Sequence, residues 1–179
     1  LLTATPRVLT GVHFVGEKYY PALDPAWQQR PRARMIARAR KQLREYFSGK
    51  RMAFDVPVEP AGTPFQRDVW QELMRIPYGT TTHYGEIARR LGNANAMRAV
   101  GAANGRNPIS IIIPCHRVIG ASGALTGYAD GFSFGGADRF RSRASRLRRS
   151  SAAFWNSSFE MALSPLLSSA FITASASIP

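Results

Sequence analysis

A single cysteine, Cys115, occurs among the 179 residues, together with only three histidines. One thiol excludes an internal disulfide framework and a zinc site built on several thiolates, and it fits a reducing compartment. No apolar run approaches the ~20 residues needed to span a bilayer. The opening LLTATPRVLTGVHF is too interrupted for a signal-peptide core. Because the sequence opens on Leu1 rather than Met, its true start is expected to be missing. Acidic residues are scarce: 11 against 24 basic ones leave a net charge of +13, and no lysine follows Lys50. Aliphatic and aromatic content is ordinary, and the length allows one good core or two small domains sharing an interface.

The basic excess is concentrated. Residues 30 to 51 carry nine Lys or Arg side chains (Arg30, Arg32, Arg34, Arg38, Arg40, Lys41, Arg44, Lys50, Arg51) against Glu45. Such a surplus points to a polyanion partner, nucleic acid first. The plainer reading is a solvated helix face. Val8, Val12 and Phe14 alternate loosely, and Met52, Phe54, Val56 and Val58 alternate cleanly, which predicts two strands with one buried face each. Between them, Ile36, Ala39, Leu43 and Phe47 recur at three- and four-residue steps, predicting a helix over 32–47 stopped by Ser48-Gly49.

EPAGTPFQ, residues 59–66, reads as a linker and a helix start together. Thr63 can cap, Pro64 suits the first helical position, and Gln66 completes a capping box. Phe65, Val69 and Leu73 form the expected buried stripe, with Pro77 and Gly79 ending the helix. A second domain therefore begins near residue 60. TTTHYGEIARRLG predicts a short helix closed by Gly92, and NANAMRAVGAANGRNP another, from a cap at Asn93 or Asn95 to Asn104. Two short helices joined by a tight turn suggest a helix-turn-helix. In the second, Ala94, Ala96, Ala99, Gly101, Ala102 and Ala103 leave Arg98 as nearly its only large polar side chain. Side chains this small permit close approach to a ligand, or simply tight packing on a neighbouring helix.

The cysteine lies in IIIPCHRVIG, residues 111–120, with apolar residues before it and two basic ones after. A structural cysteine prefers apolar neighbours; a reactive one wants positive charge and a proton acceptor, since the thiolate is the nucleophile. His116 is placed to accept the proton and Arg117 to favour the anion. Sequence neighbours in regular structure point to different sides, so a bridging water or a turn is expected, and Pro114 favours a turn. A Cys-His pair alone is too short to name a reaction.

Longer strings name one. IPCHRVIG, preceded by RAVGAANGRNP and IPYGTTTHYGEIA and followed by GALTGYADG, closely resembles the O6-alkylguanine-DNA alkyltransferases, also called methylated-DNA–protein-cysteine methyltransferases. TPFQRDVW and LREYFSGKRMAFDVPV belong to the same resemblance, which runs from about Leu9 to Gly131. It implies an α/β ribonuclease-H-like N-terminal domain over 1–59 and a mainly α C-terminal domain with a helix-turn-helix over 60–131. It also implies single-turnover DNA repair: the alkyl group of O6-methylguanine, less so of O4-methylthymine, moves to Cys115 without metal or organic cofactor. Double-stranded DNA carrying O6-alkylguanine is the implied partner, entered through its minor groove with the damaged base flipped out. The expected protein is a monomer, free of membranes and cytoplasmic, nucleoid-associated if bacterial. Carried over to this chain, His116 is the water-mediated base and Asn107 holds the active-site turn. Tyr84 donates to the minor-groove ring nitrogen of guanine. Carbonyls near Cys115 and Val118 receive the exocyclic amine, Tyr128 and Ala129 close the far wall, and Pro114 is a further substrate-binding residue. Arg98 is the finger that fills the emptied base stack; Gln66, Asn93 and Ser122 contact the DNA backbone.

The resemblance stops after TGYADG. There the family continues with Gly-Leu, a lysine and a short helix ending in a glutamate that orients the histidine; this chain reads FSFGGADRFRSRASRLRR, with Ser142 near the glutamate's place. Residues 131–179 hold 12 of the 15 serines, and Arg139 to Arg149 includes six arginines. The tail, 132–179, is read as divergent and poorly specified or disordered. The abrupt shift resembles translation in another reading frame; coding DNA with no Leu, Lys, Leu-Leu and Glu pattern in its other frames would refute that. Without the third group, alkyl transfer is expected to be slower and the fold less stable. Two alternatives stand beside the transferase. One is a lesion-recognition protein that binds alkylguanine without accepting the alkyl group, though Cys115 argues against it. The other is a helix-turn-helix regulator, weakened because its second helix lacks side chains that read major-groove edges.

Overall fold

The computed structural model describes residues 1–120 and the backbone of Thr173–Ser175. In chain order the elements are β1 (Leu2–Ala4), β2 (Leu9–Val12), β3 (Gln28–Gln29), α1 (Arg34–Phe47), α2 (Pro64–Met74), β4 (Thr82–His83), α3 (Tyr84–Arg90), α4 (Met97–Gly105), β5 (Val118–Ile119) and β6 (Thr173–Ser175). Short 3-10 turns lie at Ala94–Ala96 and Cys115–Arg117.

The N-terminal half is a small sheet covered by one helix. Strand order is β2-β1-β6-β3; β1 pairs antiparallel with β2, and β6 runs parallel to β1 and antiparallel to β3. Three residues of the tail thus form a strand where the sequence expects little order. Helix α1 buries Met35, Ile36, Ala39 and Leu43 and turns Arg34, Arg38, Lys41 and Arg44 to solvent. It stops as predicted, with Ser48 at the cap and Gly49 at φ 71, a left-handed conformation glycine adopts freely.

The alternating segment 52–58 is not a strand. Only a bridge of Val58 with Leu9 forms, closed by Leu9 N donating to the Pro57 carbonyl at 2.9 Å and Glu59 N to the Leu9 carbonyl at 2.9 Å. Pro57 has no N–H to carry the ladder further back. Upstream, Asp55 N donates instead to the side-chain oxygen of Gln42 on α1, at 3.1 Å. Met52 is exposed and only Val56 of the alternating set is fully buried.

In the other half, α2 starts as the sequence requires. Thr63 Oγ1 accepts from Gln66 N at 3.2 Å, and Gln66 Oε1 accepts from Thr63 N at 2.9 Å. Val69, Trp70 and Leu73 form the buried face. Phe65, expected in that stripe, is exposed, because the first turn of α2 overhangs the core along with Thr63, Pro64 and Arg67. Trp70 Nε1 donates to the Ala103 carbonyl at 3.0 Å, fastening α2 to α4. Helices α3 and α4 are joined through Gly92 (φ 78) and the Ala94–Ala96 turn, whose entry the Asn93 side chain caps. One buried cluster including Leu9, Ile36, Val69, Leu73, Ile87, Val100, Ile109 and Ile113 spans both halves.

Candidate active site

The cysteine is delivered by a loop of tight turns held at two points. Asn107 Nδ2 donates to the Ile113 carbonyl at 2.8 Å, and its Oδ1 accepts from Ile109 N at 3.0 Å. From the N-terminal half, Val12 N donates to the Pro108 carbonyl at 2.9 Å and the Val12 carbonyl accepts from Ser110 N at 3.2 Å. Between these anchors Ile111 takes φ 74, with Ile112 N donating to the Ser110 carbonyl at 2.9 Å. This is the rare, strained form of γ-turn, and a β-branched residue in it costs about 1–3 kcal/mol. Pro114 (φ −82, ψ 61) makes the relaxed mirror turn, closed by Cys115 N donating to the Ile113 carbonyl at 2.8 Å. Cys115, His116 and Arg117 then form a single 3-10 turn.

A short parallel ladder supplies the second wall. Strands β4 and β5 pair Thr82 with Val118 and His83 with Ile119, and His83 Nδ1 donates to the Gly120 carbonyl at 3.2 Å. Tyr84, the next residue and the first of α3, is thereby carried to the cysteine turn. Burial raises the Tyr84 pKa, the negative charge of the Cys115 thiolate raises it further, and a hydrogen bond with the Asn104 side chain works the other way.

His116 is 3% exposed, and burial, reinforced by the positive charge of Arg117, pushes its pKa down to about 3. It is a neutral imidazole at ordinary pH, able to accept a proton but a weak base. Arg117 differs from its expected role. Its Nη1 donates to the Ile76 carbonyl at 2.8 Å and its guanidinium lies 5.7 Å from the Tyr78 ring centre. The sequence suggests that it favours the thiolate; the structure fastens it to the end of α2, from where its charge depresses His116.

Four predicted catalytic residues, Cys115, His116, Asn107 and Tyr84, are therefore brought together, all buried, with Pro114 and Val118 beside them. Tyr128, Ala129 and Ser122 lie outside the described residues. Arg98 is exposed on the first turn of α4 and shares its open face with Ala99 and Ala102. Asn93 is exposed at its turn, and Gln66 is partly buried with its amide oxygen engaged in the α2 cap. The sequence reading missed Asn104, which hides in the small-residue run AANG as a helix-end residue and proves to be buried beside Cys115. Among the described residues no trio of His, Cys, Asp or Glu gathers as a metal site, and no helix is long and apolar enough to cross a membrane.

Residues 1–60 match the family model of the 6-O-methylguanine DNA methyltransferase ribonuclease-like domain, and residues 64–143 that of the 6-O-methylguanine DNA methyltransferase DNA binding domain. The methylated-DNA–protein-cysteine methyltransferase of Mycolicibacterium paratuberculosis is 48% identical over 155 residues, 86% of this chain and 89% of that protein. Its namesake from Methanosarcina acetivorans is 49% identical over 131 residues, 73% of this chain and 83% of that one. The crystal structure of Mycobacterium tuberculosis OGT in complex with DNA superposes with a TM-score of 0.66 at 48% identity, covering 72% of this chain and 76% of that chain. With both halves matched in order and the cysteine turn inside the second, the chain belongs to the 6-O-methylguanine DNA methyltransferase family.

Proposed function

We propose that this protein repairs DNA by direct reversal, moving the alkyl group of O6-methylguanine onto Cys115 in a single turnover. The observation that carries the reading is the meeting of Tyr84 and Cys115, 31 residues apart in the chain, across the β4–β5 ladder. The Cys115 sulfur attacks the alkyl carbon, an S–C bond forms, and the C–O bond to guanine breaks. The thiol proton passes to His116, a bridging water carrying it. Tyr84 supplies a proton to the ring nitrogen of the departing base and is reprotonated in turn, so the net transfer is from thiol to guanine. The thioether is stable to water, and the protein is spent. The low basicity of His116 supports the expectation of slow transfer, since proton transfer is best served by a pKa near the working pH.

The domain boundary near residue 60, the helix-turn-helix formed by α3 and α4, and minor-groove entry belong to the same reading. A face of Arg98, Ala99 and Ala102 is slim enough for a narrow groove, and Arg98 fills the space the flipped base leaves. Asn93 and Gln66 meet phosphates, Pro114 and Val118 the base, and Tyr128, Ala129 and Ser122 complete the contacts. The protein acts as a cytoplasmic monomer. The named activity of its relatives favours transfer over lesion binding without chemistry. Duplex DNA containing O6-methylguanine tests this by intact mass: one methyl is gained on the peptide containing Cys115, and Cys115→Ser gains none. Tight binding with no mass gain would establish the lesion-binding alternative instead. A transfer rate equal to that of the Mycobacterium tuberculosis relative would overturn the expected slowing.

A further inference from the structure

Asn104 lies near the end of α4 and is 2% exposed. Its Nδ2 donates to the Cys115 carbonyl at 3.4 Å, and the same side chain hydrogen-bonds the Tyr84 hydroxyl. Its Oδ1 is buried and has no hydrogen-bond partner among the described residues. Buried polar atoms left unmatched are uncommon and destabilising. A leucine of similar size would fill the same space without that penalty, so fold stability does not explain an amide here.

We propose that Asn104 is a positioning residue of the alkyl transfer, holding the nucleophile's backbone and the proton donor at a fixed separation. The inference rests on the transfer reading above. One side chain meets both groups that act in the same step, Cys115 as it attacks and Tyr84 as it protonates the departing base. A phenol oxygen that accepts from Nδ2 turns its own O–H away from Asn104, which keeps that hydrogen as a donor toward the base. Asn107 secures the cysteine loop from one side, through Ile109 and Ile113; Asn104 secures the Cys115 turn from the other, through α4. Since Arg98 rides on the same helix, the distance between the finger and the nucleophile is set by the same contact.

The test uses the full chain, with Asn104→Leu and Asn104→Ser compared with the parent in single-turnover methyl transfer from duplex O6-methylguanine. At saturating DNA the transfer constant of Asn104→Leu falls roughly 10- to 100-fold, the scale expected when reacting groups are misplaced by a fraction of an ångström or more. The DNA concentration giving half-saturation stays near the parent's, and Tm holds or rises. The Tyr84 phenol, followed by absorbance as the difference from Tyr84→Phe, titrates at still higher pH because a donor that favoured its anion is gone. Asn104→Ser, which retains a hydroxyl donor, recovers part of the rate and carries the kinetic comparison should the leucine variant fold poorly. Parent-like transfer by Asn104→Leu, or a loss matched by weaker DNA binding, overturns the proposal while leaving Cys115 chemistry intact. A parent that takes up no methyl fails the transfer reading itself, and this inference with it.

Discussion

Arginine occupies two physical settings in this molecule. Along α1, Arg34, Arg38 and Arg44 stand in water, and Arg38 pairs with the exposed carboxylate of Asp55 at 3.4 Å. In the cysteine turn, Arg117 is buried, its guanidinium given to a backbone carbonyl and an aromatic face. Exposed pairs are screened and contribute little. A buried cation acts on its neighbours at low dielectric, and Arg117 does so by reinforcing the burial that keeps His116 neutral. The two regions carry the same charge, but only in the buried one does the position of each polar atom decide what the protein can do.

That contrast can be broken first at its strongest point. Asn107→Leu removes the acceptor of Ile109 N and a donor to the Ile113 carbonyl inside the buried loop. The expected loss is about 2 kcal/mol, from Ile109 N left without its acceptor at about 1–3 kcal/mol, while the Ile113 carbonyl keeps its bond from Cys115 N, measured as a lower urea midpoint. A loss below 1 kcal/mol would mean that the loop is held mainly by β2.

The next effect is one of pH. The His116 pKa is about 3 folded, against an ordinary value of 6.5. The unfolded chain therefore binds the extra proton between those values. The contribution is fully present above pH ~6.5 and is lost as pH falls toward 3, with a slope of at most about 1.4 kcal/mol per pH unit. Urea unfolding of the parent and of His116→Leu across that range isolates it: the parent loses stability faster on acidification. Equal slopes would place His116 in contact with water. The smallest effect belongs to α1, where Arg34→Ala with Arg38→Ala changes stability by less than about 0.5 kcal/mol. A larger loss would give the surface arginines a structural role and dissolve the contrast.

Local signals in the chain were reliable where local chemistry decides. The α2 capping box, the α1 stop at Ser48-Gly49 and the Gly92 corner follow from hydrogen bonds or backbone freedom within a few residues. The alternation over 52–58 misled because a period of two states only which side chains could share a face. Pairing needs a partner strand, and Pro57 limits the contact to one bridge. Phe65 kept helical spacing yet lies beyond the edge of the core. β1 was invisible, being three residues with all of them buried and no alternation to detect.

For the site, the ordered motifs around Cys115, through the family resemblance they carry, singled out Cys115, His116, Asn107 and Tyr84 as candidates, and all four prove to be buried. Only the tertiary structure decided that Tyr84 reaches Cys115 through a parallel ladder and that Arg117 turns to Ile76. Asn104 could be placed between the Cys115 turn and Tyr84 by nothing short of that packing. Those outcomes depend on which carbonyls and charges converge from distant parts of the chain, and the strength of a buried hydrogen bond or charge depends on its surroundings, which no single segment carries.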